Sequence, residues 1–257
     1  MLLTIDMGNT NITLGVFKDE DIIFTSRLAT MRDRTKDQYA VELLNIFALY
    51  KIKADDINGA IISSVVPELT DSIKNAVKLV TGCDALVLGP GVKTGLNIVT
   101  DSHTQVGADL VACSVGAIAK YPLPCFIIDL GTATKILLID ETGTFCGCTI
   151  SAGVKISLDA LANQTSQLPA ISLKTPKKAI GTNTQDCMLS GTVLGTAAML
   201  DGLTDRMEKE FGRKIVSTIA TGGLSEEIVK SCYREVTHDP DLIFIGLKAI
   251  YEKNKTK

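Results

Sequence analysis

The chain alternates short apolar runs with amphipathic stretches, and the order of these segments occurs twice. Residues 2–6 are apolar up to Asp6, and Ile12, Leu14 and Val16 alternate with smaller residues after a Gly8-Asn9-Thr10 turn. A third run, Ile22 to Leu28, follows an acidic turn, so the first stretch predicts a meander of three strands. Asp37 to Leu49 carries Tyr39, Val41, Leu43, Leu44, Ile46 and Phe47 at helical spacing and predicts an amphipathic helix. Residues 59–66 are apolar enough for a buried strand. Pro67 is well placed to open a helix to about Val80, and residues 85–88 read as another strand. A glycine loop at 89–95 precedes a helix predicted over 104–120.

Pro122 and Pro124 then break the pattern, and it restarts. Strands are predicted at 126–129, 135–140 and 144–151, helices at about 157–164 and 184–211, a strand at 216–221, and two further helices. Each half opens on one phrase: TIDMGNTNITLGV at residues 4–16 and IDLGTATKILLI at 128–139. Such repetition points to duplication, with α/β halves at 1–121 and 122–257 expected to face each other across a ligand cleft.

A chain of 257 residues can bury the core of one large or two small domains. The formal net charge of −3 gives no basis for a nucleic-acid or anionic-membrane partner. No uninterrupted apolar stretch has the length of a membrane span, and no leader is evident, so a cytoplasmic protein is expected. The 7 cysteines sit mostly in apolar surroundings and read as reduced core thiols. Cys146-Gly147-Cys148 could be a redox or metal pair, but the favoured reading is a strand passing through a turn. His103 and His238, the 2 histidines, lie far apart, which disfavours a histidine-built zinc site or a Ser-His-Asp triad.

An apolar strand that ends in Asp and turns through Gly presents backbone N–H groups and small hydroxyls around a concave tip. Such nests bind phosphate, and the carboxylate can hold Mg²⁺ through water. Asn9, Thr10 and Asn11 suit one tip, and Thr132 and Thr134 the other. The alternative for each is a β-hairpin with small turn residues. Thr221-Gly222-Gly223 ends a third apolar strand, where two glycines would let the backbone lie flat against a planar ligand such as adenine.

The three motifs together resemble the superfamily of actin, the heat-shock ATPases and the sugar kinases. The closer resemblance is to type III pantothenate kinases. It is carried by residues 6–10, 63–67, 89–95, Gly107-Ala108-Asp109, 129–134, 157–161, 180–184, Ser190-Gly191 and 221–223. The resemblance implies two ribonuclease-H-like α/β domains with a central cleft, and phosphorylation of pantothenate by ATP with Mg²⁺, the first step of coenzyme A biosynthesis. It implies that Asp6 serves Mg²⁺ and ATP, with Gly8, Asn9, Thr10 and Asn11 around the phosphates, Thr132 touching ATP, and Gly222 and Gly223 at the nucleotide. Asp129 would hold a monovalent cation, K⁺ or NH₄⁺, and Asp109 would be the base for the pantothenate hydroxyl. Read without the resemblance, Asp109 is a helix-terminal acid favouring the macrodipole. Gly107, Ala108, Leu110 and Thr184 would line the acceptor pocket, Thr184 also serving as a helix N-cap. A homodimer is implied, and the Gly191-x-x-x-Gly195 spacing would permit close helix contact.

Six positions depart from the family pattern. Leu110 stands where an Arg suited to the substrate carboxylate is usual, Thr100 for Tyr, Ser102-His103 for Asn-Pro, Lys135 for Thr, and Ala152 for Pro. They leave two further readings: a kinase of this fold for another small hydroxylated acceptor, and a regulatory paralogue that binds ATP without transfer.

Overall fold

A computed structural model describes residues 1–101 and 106–255. Its elements run β1 (Leu2–Met7), β2 (Asn11–Lys18), β3 (Asp21–Ala29), α1 (Lys36–Leu49), β4 (Gly59–Ser64), α2 (Pro67–Thr81), β5 (Leu86–Val87), β6 (Asn97–Ile98) and α3 (Ala108–Lys120). They continue with β7 (Cys125–Leu130), β8 (Ala133–Ile139), β9 (Thr144–Ala152), α4 (Val154–Gln164), α5 (Thr184–Leu189), α6 (Gly195–Phe211), β10 (Ser217–Thr221), α7 (Ser225–Val229), β11 (Thr237–His238) and α8 (Leu242–Asn254).

The duplication read from the motifs is present in the sheets. The first has the order β3-β2-β1-β4-β5. The second has β11-β10-β7-β8-β9-β6, which from β9 to β11 is the same order with β6 added at the edge. Pairing senses match as well: β1 runs antiparallel to β2 and parallel to β4, as β7 runs antiparallel to β8 and parallel to β10. The central strands β1 and β7 are covered on both faces, so their sequences are apolar runs. Edge strand β3 alternates because one face meets solvent.

Local chemistry sets the element ends. Thr35 caps α1 in a reciprocal capping box with Gln38. Pro67 occupies the first turn of α2, and Gly82 closes that helix in the left-handed region at φ 73°. Cys146 and Cys148 both lie on β9, with a register shift where Gly147 adopts φ 150°. None of the cysteines is disulfide-bonded, and burial pushes the thiols of Cys125 and Cys232 up to about 12.

The chain packs as two units. One comprises Met1–Gly95, the α3 stretch to Ala119, and α8 from Ile243; the other comprises Leu96–Asp101 and Lys120–Leu242. Leu3, Ile5, Leu14, Tyr39, Phe47 and Ile62 lie in the first core, and Phe126, Ile128, Val193, Ala197 and Leu200 in the second. In the first unit α8 crosses α3 so closely that a Cβ on Gly246 would overlap the Ala112 carbonyl. Gly246→Val is therefore expected to destabilise the protein by about 3 kcal/mol or to prevent folding, read by urea denaturation followed by circular dichroism.

Several details differ from the sequence reading. The described part of α3 begins at Ala108, and α4 begins at Val154, immediately after its N-cap Gly153. The long helix spans Thr184–Phe211, but its hydrogen bonding widens to a π segment at Ser190–Leu194 between α5 and α6. This helix alone among the described residues has the length and hydropathy of a membrane span. Its apolar residues Leu189, Val193, Ala197 and Leu200 are buried in the protein. Strands β6 and β11 were not expected, because two residues are too few to show a period.

Candidate functional site

Asp6 sits near the carboxyl end of β1, facing Thr13 of β2 and Ser63 of β4. The fully buried Ser63 donates its hydroxyl to Asp6 Oδ1 at 2.9 Å. The turn beyond is closed by the Gly8 N–H donating to the Asn11 carbonyl at 2.9 Å, with Asn11 opening β2. Thr30 braces it, its hydroxyl donating to the Gly8 carbonyl at 2.7 Å and its N–H to that of Thr10 at 3.0 Å. Asn9 and Thr10 are exposed at the tip. Arg32 donates to Asn9 Oδ1 at 3.2 Å, bringing a cation to this tip that the sequence reading missed. The only signal in the sequence is a basic residue in the loop after the third strand.

Asp109 arrives at the same end of the first sheet. The Val65 N–H, just past β4, donates to the Met7 carbonyl at 3.0 Å. A Cβ on Gly107 would lie 3.8 Å from Val65 Cγ1 and would run into Asp109 Oδ1. Gly107 is thus the residue that lets this carboxylate fold back over the start of α3. There Asp109 Oδ1 accepts the Leu110 N–H at 2.9 Å. Ala108 opens the helix, half-buried, and the Leu110 side chain is buried. Acids at the carboxyl ends of parallel strands sit where open α/β sheets take their ligands.

The second unit has a matching tip. Asp129 lies near the end of β7, facing Thr221 of β10 and Lys135 of β8. Lys135 Nζ is 2.9 Å from Asp129 Oδ2. The Gly131 N–H donates to the Ala133 carbonyl at 3.2 Å, leaving Thr132 exposed. Gly153 packs under this turn, and a Cβ there would overlap the Thr132 carbonyl. Gly222 holds φ 95° with no room for a side chain, since a Cβ would stand 2.7 Å from the Leu130 backbone. Gly223 follows, exposed. The hydroxyls of Thr134 and Thr100 are buried without a hydrogen-bond partner among the described residues.

Thr184 lies in a groove of the second unit of about 970 Å³, lined also by Ser157, Leu161, Asn183, Gly191 and Gly195. It is not the N-cap anticipated. Asn183 caps α5 by accepting the Asp186 N–H at 2.9 Å, because it is the residue in extended backbone just before the first turn; Thr184 is the first helical residue. Ser102 and His103 lie outside the described residues.

Among the described residues no three His, Cys, Asp or Glu side chains gather as a metal cage. A lone carboxylate at a phosphate-binding tip suits Mg²⁺, which keeps most of its water and takes the remainder of its shell from phosphate. The orphaned Thr134 hydroxyl, beside the second turn, suits a tip that is completed by a polar ligand.

Comparison with known proteins places this geometry. A crystal structure of the (R)-2-hydroxyglutaryl-CoA dehydratase component A of Acidaminococcus fermentans superposes with TM-score 0.60 at 16% identity, over 99% of each chain. The ROK hexokinase of Thermus thermophilus superposes with TM-score 0.50 at 12% identity, over 98% of each chain. At these identities the likeness establishes the fold alone, two α/β units of like sheet order. Residues 2–206 match the family model for type III pantothenate kinase. A type III pantothenate kinase of Exiguobacterium sibiricum is 41% identical over 255 residues, spanning 99% of this chain and 100% of that protein. The chain belongs to the type III pantothenate kinase family.

Proposed function

We propose that the protein transfers the γ-phosphoryl group of ATP to the primary hydroxyl of pantothenate, giving 4′-phosphopantothenate on the way to coenzyme A. The observation that carries this reading is the repeated tip. In two sheets of one strand order, an aspartate stands near the carboxyl end of the first strand beside a glycine turn. In one of them a second carboxylate, Asp109, stands at the same end. We take the halves of the duplication to be 1–121 and 122–257, with α8 of the second half packing back in the first unit.

ATP with a divalent metal supplies the phosphoryl group and neutralises charge on its oxygens. Gly8, Asn9, Thr10 and Asn11 hold phosphate oxygens by N–H and side-chain donors, and Arg32, which also pairs with Glu68 at 2.9 Å, stands beside Asn9. Asp6, fixed by Ser63, would hold the metal, whose positive charge would offset the negative charge of the phosphates. Thr132 binds phosphate from the second tip, and Gly222 and Gly223 give adenine a flat backbone surface. Asp109 accepts the proton of the pantothenate hydroxyl, with Gly107, Ala108, Leu110 and Thr184 around the acceptor. The finer form of the family resemblance adds K⁺ or NH₄⁺ at Asp129. It also adds a homodimer, for which the Gly191 and Gly195 face of the Thr184 groove is the candidate surface. With no disulfides, the protein suits a reducing cytoplasm.

Phosphorus NMR of the purified protein with pantothenate, ATP, Mg²⁺ and K⁺ tests the reading; bound ATP with no phosphopantothenate would sink it. Leu110 offers no partner to the pantothenate carboxylate. Selection against a neutral amide analogue is therefore expected to be weak, below about tenfold in kcat/KM, whereas a buried Arg fork would give far more. Competition between the two acceptors checks it.

A further inference from the structure

The duplication allows the two tips to be compared within one chain. Asp6 faces Thr13 on its antiparallel neighbour, and Asp129 faces Lys135. Directly opposed residues of an antiparallel pair share one face of the sheet. The row through Asp129 runs Thr221, Asp129, Lys135, Ile150, so Lys135 is its one cationic position. The ammonium is 2.9 Å from Asp129 Oδ2, with the two side chains only 17% and 16% exposed. At Asp6 the facing β4 residue is Ser63, whose hydroxyl donates to Oδ1 at 2.9 Å.

A monovalent cation on Asp129 does not fit this arrangement. It would compete for a carboxylate that Lys135 already engages, and two like charges at that separation repel strongly in a half-dry site. We infer that Lys135 is a resident replacement for the monovalent cation, so that the protein works without K⁺ or NH₄⁺. A lysine head is an alkylated ammonium ion with the charge and donors of NH₄⁺. Tethered on β8, it is in place at any ionic composition. Lys135 is a positioning residue: it neutralises Asp129 so that the second tip does not repel phosphate. The inference rests on the kinase reading, which assigns phosphate to that tip.

The test compares the full-length protein with Lys135→Thr, which copies the residue facing Asp6. Pantothenate phosphorylation is measured with tetramethylammonium, Na⁺ or K⁺ as the only added monovalent cation. Wild-type kcat/KM should change by less than about twofold across the three, while Lys135→Thr should fall about 30-fold in tetramethylammonium and recover most of the loss in K⁺. Rescue by K⁺ is an effect that a merely structural lysine would not show. Lys135→Gln, which keeps a donor but not the charge, should show the same loss in tetramethylammonium and covers an unstable threonine variant. A second readout needs no turnover: thallium NMR with Tl⁺ as the K⁺ surrogate and no nucleotide. Tl⁺ should bind Lys135→Thr and not the wild type. A wild type that requires K⁺, a Lys135→Thr indifferent to cation, or equal Tl⁺ binding by both would overturn the inference. If neither protein phosphorylates pantothenate or is thermally stabilised by Mg²⁺ and ATP in any buffer, the kinase reading fails, and the Tl⁺ comparison still decides whether Lys135 fills the cation's place.

Discussion

Asp109→Asn is expected to lower kcat for pantothenate phosphorylation by about 10³-fold, in the range that removal of a positioned general base produces. The substitution is nearly isosteric, and an Asn Oδ1 can still accept the Leu110 N–H that Asp109 accepts at 2.9 Å. The start of α3 should therefore survive, with the macrodipole contribution of about 0.3–1 kcal/mol removed. Two measurements separate the two readings of this acid. Steady-state kinetics should show kcat collapsing, with KM for ATP little changed, and thermal unfolding should show a small decrease in Tm. The opposite pattern, full kcat with a measurable loss of stability, would make Asp109 a helix-start residue and nothing more. Gly107 belongs to the same expectation, because a side chain there would displace the Asp109 carboxylate.

Asp6→Asn should reduce kcat/KM for ATP by about 10²–10³-fold and raise the Mg²⁺ concentration needed for half-maximal rate. The amide oxygen can keep the Ser63 hydroxyl bond seen at Asp6 Oδ1, so the β1–β4 edge should remain folded. What is lost is the negative charge that orients the hydrated metal. A Mg²⁺ titration of initial rate, with circular dichroism as a folding control, reads the effect. An unchanged Mg²⁺ requirement would remove Asp6 from the metal-binding role. Unlike Lys135→Thr, this variant should not be rescued by K⁺, because a monovalent ion cannot supply a missing carboxylate.

The contrast between the two aspartates shows how far sequence reasoning reached. Asp-x-Gly with small polar residues marks both tips, and each aspartate does lie near the carboxyl end of a central strand. A central strand reads clearly because it is covered on both faces and must be apolar along its length. Pro67 and Gly82 bracket α2 for equally local reasons, a fixed φ at one end and a left-handed φ at the other. Arg32 was not legible, because nothing local ties a loop arginine to Asn9. Nor was the pairing of β6 with β9, where two residues are held by a neighbour distant in the chain.

From the sequence alone came the duplication, the two tips, the apolar strands and the amphipathic helices, since each is written in residue types a few positions apart. Lys135 was visible there as a departure from the family pattern, but its consequence was not. Whether it points toward Asp129 or away depends on the β7–β8 register, and slipping that register by one residue would put it on the other face. That α8 packs in the first unit, with Gly246 against Ala112, was likewise settled only by the tertiary structure. Periodicity tells a helix which face to bury, but the partner for that face is chosen by shape and by which surface remains uncovered when the rest of the chain has folded.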